Sequence, residues 1–208
     1  MPAKNTVKVF AENSFYHIYN RGVNKTNIFI DFQDYQTFLH LLEIYLIKDY
    51  FPITSKRSLY GRAEVLAYCL MPNHFHLLVR QKDKVAMTEL IRKICTIYSM
   101  NFNQKYKRVG PLFQGKYKAA LLDTNRYLLY VSKYIHQNPM EILQPNQTIY
   151  NYPYSSLQNY VGNRNQEWLK TDFIKDLLKD EFGSGESYDK FIKDASSPMS
   201  LNQNIILD

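Results

Sequence analysis

The sequence contains little cysteine and no long apolar run, and each absence excludes a class of protein. Its two cysteines, Cys69 and Cys95, lack the paired spacing of a zinc cluster, so we expect reduced, buried thiols. No uncharged apolar run approaches the roughly 18 residues that a membrane-spanning helix needs. The polar residues at the start of the chain lack the apolar segment of a signal peptide. We therefore expect a cytoplasmic protein without a membrane partner.

Internal repeats and low-complexity tracts are also missing, so the 208 residues predict one globular domain with an appendage. Residues 165–208 hold 5 Lys and 9 Asp or Glu, and subtracting these from the 26 basic and 19 acidic residues of the chain leaves 21 and 10, a net charge of +11, in residues 1–164. We predict a main domain over residues 1–160 and an acidic helical extension over residues 161–208. The positive charge of the main domain favours a polyanionic partner, most often nucleic acid.

The periodicity of apolar residues predicts an alternation of strands and helices. The predicted order is strand, helix, strand, strand, helix, strand, helix, which closes most simply into a ferredoxin-like α+β fold with an antiparallel sheet. A further amphipathic pattern after residue 165 predicts a short C-terminal helical extension. The predicted strands are residues 15–20, 64–70, 74–81 and 118–122, and the predicted helices are residues 31–47, 88–106 and 125–138.

Two histidines stand two residues apart in the third predicted strand. Side chains at this spacing point to the same face of a sheet, so we expect His74 and His76 side by side, with Phe75 facing the opposite layer. Two neighbouring imidazoles on a rigid strand suit a divalent metal, but two ligands do not complete a site. Taken alone, such a pair is more often structural than catalytic.

The third predicted helix carries polar side chains on a face that should otherwise be apolar. Tyr127, Val131, Tyr134 and Asn138 follow helical spacing and should line up. Burying the last two is costly unless their polar atoms find partners. A metal held by the two histidines would be a partner for the amide oxygen of Asn138, and the phenol of Tyr134 would point into the same site. Taken singly, a packing tyrosine and a helix-terminal asparagine before Pro139 are the commoner interpretations.

A basic loop with interleaved aromatic residues lies between the second predicted helix and the last predicted strand. Residues 105–118 contain five cations together with Phe113, Gly110 and Gly115. This mixture suits single-stranded nucleic acid, because cations follow phosphates, rings stack on bases and glycine permits close backbone approach. The 18 Tyr and 12 Phe of the chain agree with that interpretation. A charged loop whose aromatic residues belong to the core explains this stretch equally well.

An ordered set of short motifs runs through the chain: YHI at residues 16–18, RG at 21–22, MPNHFHLLV at 71–79, GPLFQ at 110–114, KYK at 116–118, YIHQNP at 134–139 and YSS at 154–156. Together they resemble the HUH single-tyrosine transposases of bacterial insertion sequences, in particular their REP-associated tyrosine transposase branch. The resemblance implies an HUH-type fold. It also implies a transposase that cleaves and rejoins single-stranded DNA through a 5′-phosphotyrosine intermediate, at hairpin-bearing ends of a mobile element.

The resemblance also implies roles for individual residues. His74 and His76 match the metal-binding HUH motif, and Tyr134 matches the nucleophile. Asn138 matches the third metal ligand, at a position where other members have Gln. His136 lies in the same motif but faces elsewhere on the helix, so it is not assigned as a ligand. The implied cofactor is Mg²⁺ or Mn²⁺. The residues expected to bind DNA are Arg21, Lys105, Lys107, Arg108, Phe113, Gln114, Lys116 and Lys118.

Other functions stay open at the level of sequence. A non-catalytic single-stranded nucleic-acid-binding module can share this fold, but it would need aromatic side chains where His74 and His76 are predicted. A domesticated relative would cleave its own DNA hairpins for housekeeping instead of transposition. A hydrolase of small phosphodiesters is disfavoured by the size of the basic surface. The sequence also leaves open a homodimer, in which Tyr134 would complete either its own site or that of a partner.

Overall fold

The computed structural model describes residues 10–52, 55 and 57–194. Residues 1–9 of the predicted main domain and residues 195–208 of the predicted extension lie outside this description. Within the described residues, no helix is both long enough and apolar enough to cross a membrane.

Strands rich in aromatic and β-branched residues form one antiparallel sheet in the order β2-β3-β1-β4. With helices between the strand pairs, this order is ferredoxin-like, which confirms the predicted α+β fold. The strands are β1 (Ser14–Arg21), β2 (Ala63–Met71), β3 (His74–Gln81) and β4 (Lys118–Leu122). The helices are α1 (Phe32–Leu46), α2 (Ala86–Lys105), α3 (Asn125–Gln137), α4 (Leu157–Tyr160), α5 (Asp172–Phe182) and α6 (Tyr188–Lys193).

The sheet separates two hydrophobic clusters, because successive side chains of a strand point to opposite faces. On β3, Phe75 and Leu77 belong to the cluster that α1 and α2 cover. Leu78 belongs to the cluster beneath α3. His74 and His76 share the face of Leu78, so both histidines point toward α3, as their spacing predicts.

Local sequence sets both ends of α3. The Thr124 hydroxyl accepts a hydrogen bond from the backbone N–H of Tyr127 and caps the first turn. Pro139 cannot continue a regular helix, and the chain passes into a short 3₁₀ turn, Asn138–Glu141. The helix therefore ends above the end of the sheet at which β3 begins.

The described part of the C-terminal extension packs against both α3 and the sheet, since Phe173 of α5 stacks on Phe15 of β1. Ile174, Leu178 and Phe191, from α5 and α6, belong to the same hydrophobic cluster as the sheet residues beneath α3. The buried ammonium of Lys133 on α3 donates to the backbone oxygens of Phe191 (2.7 Å) and Asp194 (2.6 Å) at the end of α6. Within the predicted extension, residues 172–182 and 188–193 form the helices α5 and α6, and α5 contacts the sheet as well as α3.

A buried hydrogen-bond network fixes this packing. His136 Nδ1 lies 2.7 Å from the Tyr188 hydroxyl, and His136 Nε2 lies 2.7 Å from Ser156 Oγ. The Tyr188 hydroxyl also donates to Ser132 Oγ at 2.9 Å. Burial, together with the positive charge of Arg164, lowers the pKa of His136 to about 3. His136 is therefore a neutral structural residue whose two ring nitrogens are both engaged.

Removing the Tyr188 hydroxyl should weaken the attachment of α6 to α3. In Tyr188→Phe the buried polar atoms of His136 and Ser132 lose a partner, so we expect the free energy of unfolding to fall by about 1–3 kcal/mol. Urea denaturation measures this change. The control is Tyr50→Phe, at a residue that is 52% exposed, where we expect a change within about 0.5 kcal/mol. Equal stability of the two variants would contradict a stabilising network.

The low pKa of His136 predicts acid-sensitive stability. Between pH 6.5 and about pH 3 the unfolded chain binds a proton at His136 that the folded chain does not bind, so stability falls as the pH falls. As the pH falls from 6 to 4, we expect the unfolding free energy of His136→Gln to fall less steeply than that of the wild type. The two slopes should differ by up to about 1.4 kcal/mol per pH unit. His40→Gln, which removes an exposed histidine of α1, is the matched control. A wild-type slope in His136→Gln would show that His136 does not titrate in this way.

Candidate active site

The predicted site residues meet at one end of the sheet, beside a cleft of about 360 Å³. Arg21 at the end of β1 pairs with His74 at the start of β3, and α3 ends above them. The cleft has polar and charged walls and is open to solvent on one side. It is lined by Arg21, Lys25, Asn27, Met71, Pro72, Asn73, His74, Tyr134, Asn138, Glu141 and Ile142.

The tight connection between β2 and β3 holds His74 in place. The Pro72 carbonyl accepts hydrogen bonds from the backbone N–H groups of Ile28 (2.8 Å) and Phe29 (2.9 Å). The Gly22 N–H donates to the Asn73 carbonyl at 2.8 Å. A Cβ at Gly22 would clash with the Thr26 carbonyl oxygen, so this close approach requires glycine.

The hydrogen bonds of Asn73 determine which nitrogen of His74 faces the cleft. Asn73 Nδ2 donates to the Lys25 carbonyl at 3.3 Å, which leaves its Oδ1 as the acceptor for His74. His74 Nδ1 lies 2.6 Å from that oxygen and therefore carries the proton. In the neutral ring, His74 Nε2 then presents a lone pair.

The last turn of α3, which Asn138 directly follows, orients the side chain of Asn138. Its Nδ2 donates to the Tyr134 carbonyl at 2.9 Å, so its Oδ1 turns toward the histidines. This oxygen lies 3.4 Å from His74 Nε2. Since the His74 proton is on Nδ1, the two facing atoms are both lone-pair donors, an arrangement that suits a cation between them.

His76 is completely buried behind His74. Its Nδ1 lies 2.8 Å from Nε2 of His17, while its Nε2 is buried with no hydrogen-bond partner in the described part of the chain. Burial, followed by the neighbouring His17 and His74, lowers the pKa of His76 well below its ordinary value. The side chain of Asn138 acts in the opposite direction and raises this pKa. Burial also lowers the pKa of His74. Both rings are neutral near pH 7, which is the form that binds metal.

The donor set fits a divalent cation. No group of three His, Cys, Asp or Glu side chains in the described residues could hold a metal ion. Two imidazoles and the Asn138 amide oxygen nevertheless converge, and the buried, unpartnered His76 Nε2 is a donor atom that a cation would satisfy. Three protein ligands leave positions for water and for a phosphate oxygen.

The ring of Tyr134 lies beside the histidine pair of its own chain. Its centroid is 5.5 Å from that of His76 and 5.8 Å from that of His17, both in edge-on contact. The ring is partly exposed and lines the cleft. Its hydroxyl is therefore on the helix face that also carries Asn138, one turn further along.

His17 is a site residue to which the sequence analysis gave no role. It lies on β1, is completely buried, and shares a sheet face with His76. A histidine in an otherwise apolar and aromatic strand was the available signal. Its contact with His76 depends on strand pairing, which periodicity alone does not provide.

Four of the predicted DNA-binding residues lie in β1, in β4 or in the loop before β4. Arg21 Nε donates to Gln114 Oε1 at 2.7 Å, and the Gln114 N–H donates to the Arg21 carbonyl at 2.8 Å. Lys118 begins β4 and pairs with Tyr19, which is itself paired with His76, so all three share one sheet face. Lys116 is exposed in the loop before β4. These residues form a polar and basic border at the end of the sheet that carries His74.

Two predicted DNA-binding residues have other environments. Phe113 is only 8% exposed and packs against Phe75, so its ring has no free face for a base. Lys105 forms ion pairs with Asp31 (2.7 Å) and Asp34 (2.8 Å), so two carboxylates balance its charge. Phe113 therefore packs in the core and Lys105 joins α1 to α2, and the DNA contacts predicted for these two residues stay predictions.

The two remaining cations of the loop follow the end of α2. Lys107 is exposed and adopts a left-handed backbone conformation, with φ of 51°. Arg108 lies over the ring of Phe102 and donates to Asn103 Oδ1 at 3.3 Å.

Comparison with known proteins shows a partial match to one family model and a similarity in fold. Residues 44–138 match the family model described as "Transposase IS200 like", a segment that includes both histidines, Tyr134 and Asn138. No curated protein matches the chain in sequence. Among solved structures, a REP-associated tyrosine transposase bound to a REP hairpin is similar in fold, with a TM-score of 0.52 and 12% identity over 79% of this chain and 95% of the other.

Proposed function

We propose that the chain is an IS200-like transposase, because residues 44–138 match that family model, and that it cleaves and rejoins single-stranded DNA through a 5′-phosphotyrosine intermediate, with a divalent metal as cofactor. The observation that carries this proposal is the convergence of a tyrosine, two histidines and an amide oxygen at one end of a solvent-accessible cleft. Acting on DNA, the protein would work in the cytoplasm.

The metal ligands in this proposal are His74 Nε2, His76 Nε2 and Asn138 Oδ1. Each has its other polar atom engaged: His74 by Asn73, His76 by His17 and Asn138 by a backbone carbonyl of α3. These contacts aim the three donor atoms before any ion binds. A bound Mg²⁺ or Mn²⁺ would polarise and orient a non-bridging oxygen of the scissile phosphate.

Tyr134 is the nucleophile in this proposal. Its phenolic oxygen forms a bond to phosphorus while the bond between phosphorus and the 3′ oxygen breaks. Overall, the phenol loses its proton and the departing 3′ oxygen gains one. The products are a 5′-phosphotyrosine and a free 3′-hydroxyl. Attack by another 3′-hydroxyl on the phosphotyrosine releases the tyrosine and joins new DNA ends. No external energy source is needed, because the phosphotyrosine ester preserves the free energy of the cleaved phosphodiester bond.

We assign the reaction to residues 1–160 and propose that Tyr134 acts in the site of its own chain. The ring lies 5.5 Å from His76 of the same chain, and α6 holds α3 through the Lys133 ammonium, next to Tyr134 in the sequence. The described part of the extension, residues 161–194, would then keep the nucleophile at the metal site. A homodimer is compatible with this arrangement but is not needed to complete the site.

The DNA path in this proposal crosses the basic border of the site. Arg21 and Lys118 flank the histidine face of the sheet, and the exposed Lys116 and Lys107 extend the positive charge on either side. Phosphates of a single strand would follow these cations. A hairpin next to the cleavage position is the proposed recognition element, in analogy to the fold relative whose structure contains a REP hairpin.

The nucleophile assignment predicts a covalent adduct. Wild-type protein incubated with Mn²⁺ and single-stranded, hairpin-bearing DNA from its genomic flanks should form a protein–DNA band that resists denaturation. Tyr134→Phe should form none, because the attacking oxygen is missing. Tyr130→Phe, which keeps the ring contact with Phe191, is the matched control and should form the adduct. DNA binding by the wild type without any adduct would favour the non-catalytic single-strand-binding alternative.

The DNA path predicts which cations matter. Arg21→Ala and Lys118→Ala should each weaken binding of single-stranded DNA and reduce the slope of log K against log salt by about 0.7, for one lost phosphate contact. Lys105→Ala should have a smaller effect, because Asp31 and Asp34 already balance its charge. Fluorescence anisotropy at several salt concentrations measures both quantities. An effect of Lys105→Ala equal to that of Arg21→Ala would place the DNA along α2 instead.

A further inference from the structure

We propose that His17 is a positioning residue that sets the tautomer of His76 and thereby directs His76 Nε2 toward the metal. The inference rests on the proposed metal site and adds a residue to it. It begins from two facts: both imidazoles are completely buried, and His17 Nε2 lies 2.8 Å from His76 Nδ1.

The sheet register makes this contact a fixed feature of the fold. His17 pairs with Leu78 and His76 pairs with Tyr19, so the two histidines are diagonal neighbours on adjacent antiparallel strands. Their ring centroids are 5.0 Å apart and their planes are within 17° of parallel. The two facing nitrogens are therefore held at hydrogen-bond distance by the backbone pairing itself.

Only one proton can lie between the two nitrogens, and its owner determines the state of His76. If His17 Nε2 donates, a neutral His76 carries its own proton on Nε2. A proton there prevents metal binding. If His76 Nδ1 donates, Nε2 is left with a lone pair directed at the site. Only the second arrangement is compatible with a metal.

The other histidine of the pair has the same kind of support. His74 Nδ1 faces Asn73 Oδ1 at 2.6 Å, and its Nε2 faces the amide oxygen of Asn138. Both metal-binding histidines thus have an acceptor at Nδ1 and leave Nε2 for the ion. His17 is the acceptor for the buried histidine, as Asn73 is for the partly exposed one. An outer acceptor of this kind orients a ligand and increases its basicity.

Metal affinity of the full chain tests the proposal without using DNA cleavage. Titration with Mn²⁺, followed by the electron paramagnetic resonance signal of free Mn²⁺, should show affinity about 10–100-fold lower in His17→Phe than in the wild type. His17→Gln places an amide acceptor at the same distance along the side chain and should recover most of the affinity. Wild-type affinity in a folded His17→Phe would overturn the proposal.

The tautomer can also be read directly in the unsubstituted protein. Long-range ¹H–¹⁵N correlation spectra should show the His76 proton on Nδ1, and a proton on Nε2 would overturn the proposal even if His17→Phe fails to fold. His76→Ala separates the two levels of the argument. Equal Mn²⁺ binding by the wild type and His76→Ala would refute the proposed metal site itself, whereas loss in His76→Ala with full binding in His17→Phe would refute only the role of His17.

Discussion

The antiparallel pairing of β1 with β3 is the constraint on which the site depends. It brings His17 next to His76 in the layer between the sheet and α3, where both imidazoles are shielded from solvent. Polar atoms in such a layer are tolerated when each has a partner. The histidine pair, the amide of Asn138 and the proposed ion form one connected set, and the strand register determines that they meet at one end of the sheet.

Features that depend on local periodicity could be predicted from the sequence. His74 and His76 share a face because strand side chains alternate, and Tyr134 and Asn138 line up because four residues make about one helical turn. Pro139 marks the end of α3 for a steric reason that is visible in the sequence. The ferredoxin-like fold, confirmed by the sheet order, followed from the order of strands and helices. The roles given to these four side chains stay predictions.

Features that depend on distant residues could not be predicted. His17 meets His76 across 59 positions in the chain, and no spacing rule connects them. Phe113 and Lys105 looked alike as parts of one basic, aromatic loop. A bridge between Gly22 and Phe113 turns the ring into the core, and two carboxylates at the start of α1 bind the lysine. Tertiary pairing, rather than composition, separates the exposed loop residues, such as Lys116, from those that stabilise the fold.

The placement of Tyr134 and Asn138 on a single rigid segment has a consequence for assembly of the site. The two histidines belong to the sheet, whereas the amide and the phenol move with α3 as one body, tied together by the hydrogen bond from Asn138 to the Tyr134 carbonyl. Any rotation or slide of the helix would move the proposed ligand and the proposed attacking group together. Under the proposed mechanism, a displacement of α3 would therefore disturb metal binding and nucleophilic attack at the same time.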